Sequence, residues 1–388
     1  MATQGQVFGT TGQSIGATQL TPQYYDRVAL IEARKLQYFG QLADVKSMPK
    51  NMGKTIKKYH YIPMLDDANI NDQGLDATGA VIANGNLYGS SKDIGAIPAK
   101  LPVLSETGGR VNRVGFTRKE LSGTLEKYGF FTEFSKDLLD FDSDSELFSH
   151  ISRELTNGAM EITEDLLQLD LINNAGVVKY TSTATTTATV SHTSNLTYKD
   201  LRTLETTLDN NRCPKQTTII TGTRNIDTKT LQSCRVMYIG TELKTTIESL
   251  VDYHNERAFI PAENYAAGTT LLNGEWGAAA GFRFVVVPEM MKWAGGGATA
   301  TDATYYATGG KYDVFPLLVV GEESFTTIGF QTDGKSMKFK TLTRQPGDDT
   351  ADRNDPYGEM GFSSIKWWYG FMLLRGERLA LIKTAAKI

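Results

Sequence analysis

Two cysteines, Cys213 and Cys234, are all that 388 residues contain, and neither sits in a Cys-x-x-Cys pair or a wider cysteine framework. That excludes a disulfide scaffold and points to free thiols in a reducing compartment, with a single Cys213–Cys234 bridge left open. Histidine is almost as scarce. His60, His150, His192 and His254 never fall at the i, i+4 spacing that presents two imidazoles to one metal, so no metal site is expected. No apolar run approaches the roughly 18 residues of a membrane span, and residues 1–17, rich in Gly, Thr and Gln, lack the basic start and apolar stretch of a signal peptide. A soluble protein made in the cytosol, without a membrane partner, is the expectation.

Catalytic signatures are missing too. There is no Gly-x-x-x-x-Gly-Lys-Ser/Thr phosphate loop and no Gly-x-Ser-x-Gly elbow, and Gly9, Gly12 and Gly16 lack the preceding strand of a dinucleotide fingerprint. Adjacent acids such as Glu322–Glu323 and Asp348–Asp349 read as solvated loop charge rather than an acid–base pair. We therefore expect no catalytic residues, no cofactor-binding residues and no cofactor. A formal charge of -4 disfavours nonspecific nucleic-acid binding by the whole chain and leaves a local basic patch open. Partners of protein nature are favoured instead.

What is present is ample apolar material, 40% hydrophobic and 10% aromatic residues, arranged in an uneven order. The most periodic stretch is 143–176. There Phe148, Ile151, Leu155, Ala159, Ile162, Leu166 and Leu169 alternate gaps of three and four, the spacing of one helical stripe. Glu146, His150, Arg153, Asn157, Glu161, Glu164 and Gln168 fall on the other face. Ser143 with Glu146 forms a capping box, and Asn173, Asn174 and Gly176 suit a left-handed stop. At 1.5 Å per residue such a helix spans about 45 Å and requires a long surface to lie on.

Around it the chain changes character repeatedly. Residues 1–20 read as an extended arm, and Pro22 to Gly40 as a short amphipathic helix. Residues 55–62 form a strand wet on at least one face, and 110–134 the return arm of a hairpin, with an open question of a helical turn over 118–125. Between the arms, 66–109 is rich in Gly, Asn and Asp without periodicity, too long for a structureless loop inside a compact domain, and so expected to project. Its apolar residues Ile94, Ile97, Leu101, Val103 and Leu104 are the candidates for contact with an adjacent subunit.

After the long helix, the Thr-rich 177–197 fits an exposed hairpin, which we prefer, or a solvated loop. Thr197 caps a helix carrying Leu201, Leu204 and Leu208, and a short strand follows at 217–221. The spacing of Leu243, Ile247 and Leu250 predicts a helix over 236–250. Residues 274–279 read as a small-residue turn feeding a buried strand at 281–287 that Pro288 ends, with further strands at 314–320 and 324–330. From Lys338 a polar loop leads to strands at 365–374 and 379–382, which must pair backwards beneath the long helix. Trp367, Trp368 and Tyr369 read as core rather than as a stacking platform.

This order of parts resembles the major capsid proteins of tailed bacteriophages, the Hong Kong ninety-seven phage fold. Gly274-Glu275-Trp276-Gly277 with Gly281-Phe282-Arg283-Phe284, then Asp355-Pro356-Tyr357-Gly358 and Lys366-Trp367, is similar to the major head proteins of short-tailed phages related to phage N-four. The resemblance implies an α+β fold with an N-terminal arm and helix over 1–53, an extended loop over 54–139 and a peripheral domain over 140–214 with spine helix 143–176. An axial domain over 215–339 and C-terminal strands over 340–388 complete it. The implied function is a structural, non-enzymatic one: self-assembly as hexamers and pentamers into an icosahedral virion head enclosing double-stranded DNA. The implied partners are further copies of the chain, portal, scaffolding and decoration proteins, and packaged DNA on the inner surface only, with assembly in the host bacterial cytoplasm. Some members of the fold link the extended loop to a neighbour through a lysine; Lys92 and Lys100 are the lysines of 66–109. An encapsulin-like compartment shell is the second reading, and a β-rich tail or adhesin protein, which leaves the long helix unexplained, the third.

Overall fold

In the computed structural model, residues 38–42, 44–48, 53–61, 118–141, 147–220, 228–265, 271–330, 339–347 and 355–388 are described. Residues 22–37 of the expected helix at 22–40 and segment 66–109 lie outside them, as does the Ser143–Glu146 capping box; the described end of that helix is not α-helical, Tyr38 and Phe39 being irregular and Gly40–Leu42 a 3-10 turn. The elements run β1 (Asp44–Met48), β2 (Thr55–Tyr61), β3 (Arg118–Ser135), α1 (Lys136–Phe141), α2 (Leu147–Asn173), β4 (Val177–Tyr180), α3 (Tyr198–Asn210), β5 (Gln216–Ile220) and β6 (Thr228–Gly240). Then come α4 (Lys244–Glu248), β7 (Ile260–Pro261), β8 (Glu275–Ala279), β9 (Phe282–Val287), β10 (Ala307–Thr308), β11 (Lys311–Tyr312) and β12 (Phe315–Val320). The last are β13 (Phe325–Phe330), β14 (Phe339–Arg344), β15 (Met360–Leu373) and β16 (Leu379–Thr384).

Two sheets share one helix. The first has the order β1-β13-β15-β3-β2 with β14 also on β15, and the second β4-β16-β12-β6-β9-β8-β7 with β5 on β6. Leu155, Ala159, Leu167, Leu171 and Ile172 of α2 pack in one cluster with Ile365, Trp367 and Tyr369 of the first sheet and Val236, Tyr238, Val285 and Leu381 of the second. Fully burying side chains of this size contributes roughly 1.5–3 kcal/mol each, so α2 is the principal clamp between the layers. Polar contacts fix its position. Tyr369 Oη donates to Asp170 Oδ2 at 2.7 Å, and the Phe39 amide donates to Glu164 Oε2 at 3.0 Å while the Phe39 ring lies 4.6 Å from that of Tyr238.

The stripe expected along this helix is corrected in its second half. Ile162 and Leu169 are 40% and 45% exposed, whereas Thr163, Leu167 and Gln168, the last assigned to the polar face, are buried. The buried line runs 155, 159, 163, 167, 171. Steps of four overshoot the 3.6-residue turn, so the line winds around the helix as α2 passes from one sheet to the other. Gln168 is tolerated because its Nε2 lies 2.9 Å from Met290 Sδ.

The second sheet is covered on its far side by α3, whose Leu201, Leu204 and Leu208 join Met237, Ile239, Phe282, Phe284, Leu317 and Val319. Thr197 caps α3 as expected: its Oγ1 accepts from the Asp200 amide at 3.3 Å and Asp200 Oδ2 accepts from the Thr197 amide at 3.0 Å. Coverage on both faces explains why 236–240 is strand and not the start of a helix. Val236 and Tyr238 face α2, Met237 and Ile239 face α3, and only Thr241–Leu243 and α4 are helical. A doubly buried strand shows no alternation, and its apolar run mimics a helix.

Other expectations change for local reasons. Residues 118–125 are strand throughout, with no helical turn, because they pair with β2. The Thr-rich stretch is not a hairpin. Val177–Tyr180 pairs in parallel with β16, and the threonines then satisfy their own backbone: Thr189 Oγ1 accepts from the Thr185 and Thr186 amides, and Thr181 Oγ1 donates to the Ser194 carbonyl. Glu275–Ala279 is a strand rather than a turn; the turn is Ala280–Gly281, at φ 51° and 81°. The polar stretch from Lys338 contains β14, paired with β15.

The C-terminal strands do pair backwards. β15 lies beneath α2 and joins β13, β14 and β3, while β16 joins β12 and β4. The sheets do not respect linear boundaries at 215, 339 and 340. β13 leaves the second sheet for the first, and β4 and β16 enter the second from outside 215–339.

Candidate assembly interface

The described residues hold no cluster of three or more metal-ligating side chains. Buried charge is used for structure instead. Arg283 lies 3.6 Å from Glu275 between neighbouring strands, both buried, and Arg235 reaches Asp209 Oδ1 at 2.6 Å and the Cys213 carbonyl at 3.0 Å. Of the acidic pairs, Glu323 accepts from Arg378 at 3.1 Å and so belongs to a structural ion pair; Asp348–Asp349 lies outside the described residues. Burial pushes the Cys213 thiol up and the Cys234 thiol up to about 11, the reverse of nucleophile activation. Both are free and sit on opposite faces of the second sheet, so the bridge left open by the sequence does not form. Trp367 and Tyr369 are core, as expected.

The surfaces that stand open are long and partly apolar. Among the described residues β2 pairs with β3 alone, from Thr55 opposite Thr124 to Tyr61 opposite Arg118, and this two-stranded ribbon runs past the rest of the sheet. Lys57 Nζ to Glu120 Oε1 at 2.5 Å and the Arg118 guanidinium 4.1 Å from the Tyr59 ring hold its two strands together. The Glu120 carboxylate raises the Lys57 pKa through its hydrogen bond, and burial together with Arg375 lowers that of His60 at the ribbon's inner side. Tyr59 and Tyr61 remain 46% and 55% exposed. On the outer face of α2, Ile162 and Leu169 are open, and on the first sheet Phe131 and Leu342.

Ile94, Ile97, Leu101, Val103 and Leu104, expected from the sequence to make subunit contacts, lie outside the described residues. Their segment leaves from the paired ribbon ends Tyr61 and Arg118. The exposed Phe131 and Leu342 were missed. Phe131 follows Phe130, and only the period of two separates the inward ring from the outward one.

A family of phage capsid proteins matches residues 118–383. The chain is 56% identical over 382 residues to the major capsid protein of Pseudomonas phage KPP21, covering 98% of this chain and 96% of that one. Its fold is similar to the capsid of Ralstonia phage GP4, with a TM-score of 0.58 at 10% identity over 98% of this chain and 99% of that one. It is also similar to the capsid of cyanophage P-SCSP1u, with a TM-score of 0.52 at 15% identity over 97% of each chain. Neither a compartment shell nor an adhesin is favoured by these matches. An α+β chain with buried structural ion pairs, unactivated thiols and long open surfaces thus belongs to the phage capsid protein family, as a structural protein of the major capsid class and not an enzyme.

Proposed function

We propose that copies of this chain close, as hexamers and pentamers, into the icosahedral head of a tailed phage around its double-stranded DNA, with assembly in the host cytoplasm. The observation that carries this reading is the β2–β3 ribbon. A two-stranded ribbon is marginal alone in water, and this one keeps Tyr59 and Tyr61 exposed with one edge of β2 unpaired among the described residues. Neighbouring copies in a shell would bury such a surface. Residues 54–124 take the extended-loop role, since β3 from Leu125 onwards pairs with β15 inside the first sheet; that sheet with α2 takes the peripheral role, and residues 215–320 the axial role, since β13 leaves for the first sheet. Ile94, Ile97, Leu101, Val103 and Leu104 reach an adjacent subunit; DNA meets the inner surface, and portal, scaffolding and decoration proteins are further partners.

Replacing Ala68–Leu101 by a short Gly/Ser linker tests the reading. The subunit is expected to keep its helical circular dichroism while particles fail to form by negative stain and sucrose gradient. Normal particles from the deletion would refute the loop's role, and compact monomers from the unaltered chain co-expressed with its scaffold and portal would refute the shell itself.

A further inference from the structure

Three neighbouring strands of the second sheet, in the order β12, β6, β9, bring three charged side chains to one end of it. β6 and β9 run parallel and β12 antiparallel to β6, so residues just past β6, past β9 and before β12 meet there. They are Glu242, Lys292 and Asp313. Lys292 Nζ lies 3.3 Å from Asp313 Oδ2 and 4.0 Å from Glu242 Oε1. The Asp313 side chain is 3% exposed, and the lysine reaches it past the rings of Phe315 and Tyr306, whose centres are 5.3 Å and 5.8 Å from Nζ.

The Asp313 carboxylate is held at both oxygens. Oδ1 accepts from the Gly295 amide at 2.8 Å and Oδ2 from the Thr308 hydroxyl at 3.1 Å. Burial raises its pKa, but the donors from Gly295, Thr308 and Lys292 outweigh burial and leave it lowered, so the resting pair is ionic. A Cβ at position 240 would stand 2.8 Å from Glu242 Oε2, so Gly240 is what admits this second carboxylate.

A lysine beside a carboxylate is ordinarily an ion pair of small worth. Two features here suit a reaction instead. Glu242 stands where it can take a proton from the amine, and the Gly295 amide points at the oxygen on which charge develops when the Asp313 carboxyl carbon is attacked. Discharging both groups together also relieves the desolvation that burial and the two rings impose.

We propose that Lys292 and Asp313 of one chain join as an isopeptide bond, made by the folded protein itself with Glu242 as proton relay. Glu242 accepts one proton from the ammonium, and the freed Nζ lone pair attacks Asp313 Cγ while the Gly295 amide supports the charge on Oδ1. The Cγ–Oδ2 bond then breaks. The proton held by Glu242 and a second from Nζ leave with Oδ2 as water, and the third hydrogen stays on the amide nitrogen. Glu242 ends as it began, nothing is oxidised or reduced, and each chain reacts once. Proximity drives the step, since well-oriented groups within one molecule reach effective molarities of ~10⁵–10⁸ M. The bond closes the loop from 292 to 313 between β9 and β12, which removes freedom from the unfolded chain and fixes that loop to the end of the sheet. This inference goes beyond shell assembly and does not depend on it.

Intact-mass measurement of the full unaltered chain, as folded subunit and from particles, tests the bond. The expected mass is that of the sequence less one water. Trypsin should release a branched peptide joining Phe284–Lys311 to Tyr312–Lys335, uncut after Lys292. Lys292→Arg keeps the positive charge without the reactive amine; it should restore the full mass and lower the melting temperature. Glu242→Gln should reduce the linked fraction at least tenfold in chain harvested at the same time after induction, with its circular dichroism unchanged. An unaltered chain at full mass overturns the proposal and leaves an ion pair only. A water lost elsewhere, with Lys292 free in the peptides, overturns it too, and full linkage of Glu242→Gln at the earliest harvest overturns the relay. The Ala68–Leu101 deletion is expected to link as the unaltered chain does, so a failure of assembly and a failure of this bond are read separately.

Discussion

The winding of the buried line around α2 makes a quantitative claim about four leucine and isoleucine side chains. Leu167 and Leu171 are 2% and 0% exposed, Leu169 and Ile162 45% and 40%. Truncation to alanine removes about three methyl or methylene groups, at ~0.8 kcal/mol each when buried. At Leu171 the full loss of ~2.4 kcal/mol is joined by a cavity between two sheets that cannot collapse onto it, giving ~3–4 kcal/mol. At Leu169 and Ile162 half the transfer was never gained and no cavity forms. Their cost is ~1 kcal/mol, reduced by a few tenths because alanine is the better helix former. The gap of ~2–3 kcal/mol corresponds to a factor of roughly 30–150 in the folding equilibrium. Urea denaturation of the unassembled subunit, followed by circular dichroism, measures it directly. If Ile162→Ala and Leu169→Ala destabilise the subunit as much as Leu167→Ala and Leu171→Ala, the straight stripe is the true one and the winding is wrong. Lost particles from Leu169→Ala with an unchanged subunit would instead mark an assembly contact.

Three further outcomes follow from buried groups. Asp170 has its pKa raised, chiefly by burial and against the hydrogen bond from Tyr369, so the stability it contributes is complete below its ordinary 3.8 and is lost as pH rises through the raised value; Asp170→Asn, which keeps an acceptor for Tyr369, should flatten that part of the pH–stability curve without loss at pH 7, whereas Asp170→Ala should cost ~1–3 kcal/mol by orphaning a buried hydroxyl, and an unchanged pH profile in the Asn variant would refute the assignment. Cys213 and Cys234, buried and with raised pKa values, should resist a thiol reagent such as DTNB in the native subunit and react in full in denaturant; rapid labelling of either in the native state would contradict their burial. Gly277→Ala should destabilise by ~1–3 kcal/mol or more, since its Cβ would stand 2.3 Å from the Phe259 ring and 2.7 Å from the Ile260 carbonyl, and a melting temperature equal to the unaltered subunit's would show that β7 gives way freely.

Elements that bury one face were legible in the sequence. Leu201, Leu204 and Leu208 with a Thr197 cap, and the β2–β3 hairpin with its wet strand, declare their period because one side meets water. Elements buried on both sides were not. Val236–Ile239 shows no alternation because both faces are covered, so the helical spacing of Leu243, Ile247 and Leu250 was extended backwards over it. The threonines of 177–197 misled for the opposite reason: their alternation suits a hairpin, but a hydroxyl that bonds its own backbone makes a loop equally stable. Strand β14 was hidden by Lys340 and Arg344, polar because the face they occupy is exposed in the free subunit.

The same winding of α2 explains why sequence boundaries failed to divide the molecule. A helix with a straight stripe covers one sheet, and the chain could then be cut between that unit and the next. Here residues 155–159 of α2 lie in the neighbourhood of the first sheet, with a Gly158 Cβ position 3.2 Å from the Phe130 ring, while Gln168 reaches Met290 just past β9 of the second. β13 and β16, separated in sequence only by β14 and β15, end in different sheets. Neither sheet therefore has a complete core without α2, and neither is a closed domain. Rotation of one sheet against the other would have to break the single buried line that both use, and interiors packed at this density resist such shear. The part with few internal restraints is the one outside the shared core, the β2–β3 ribbon. In the shell proposed above, adjustment between copies would fall to that ribbon and not to the joint between the two sheets.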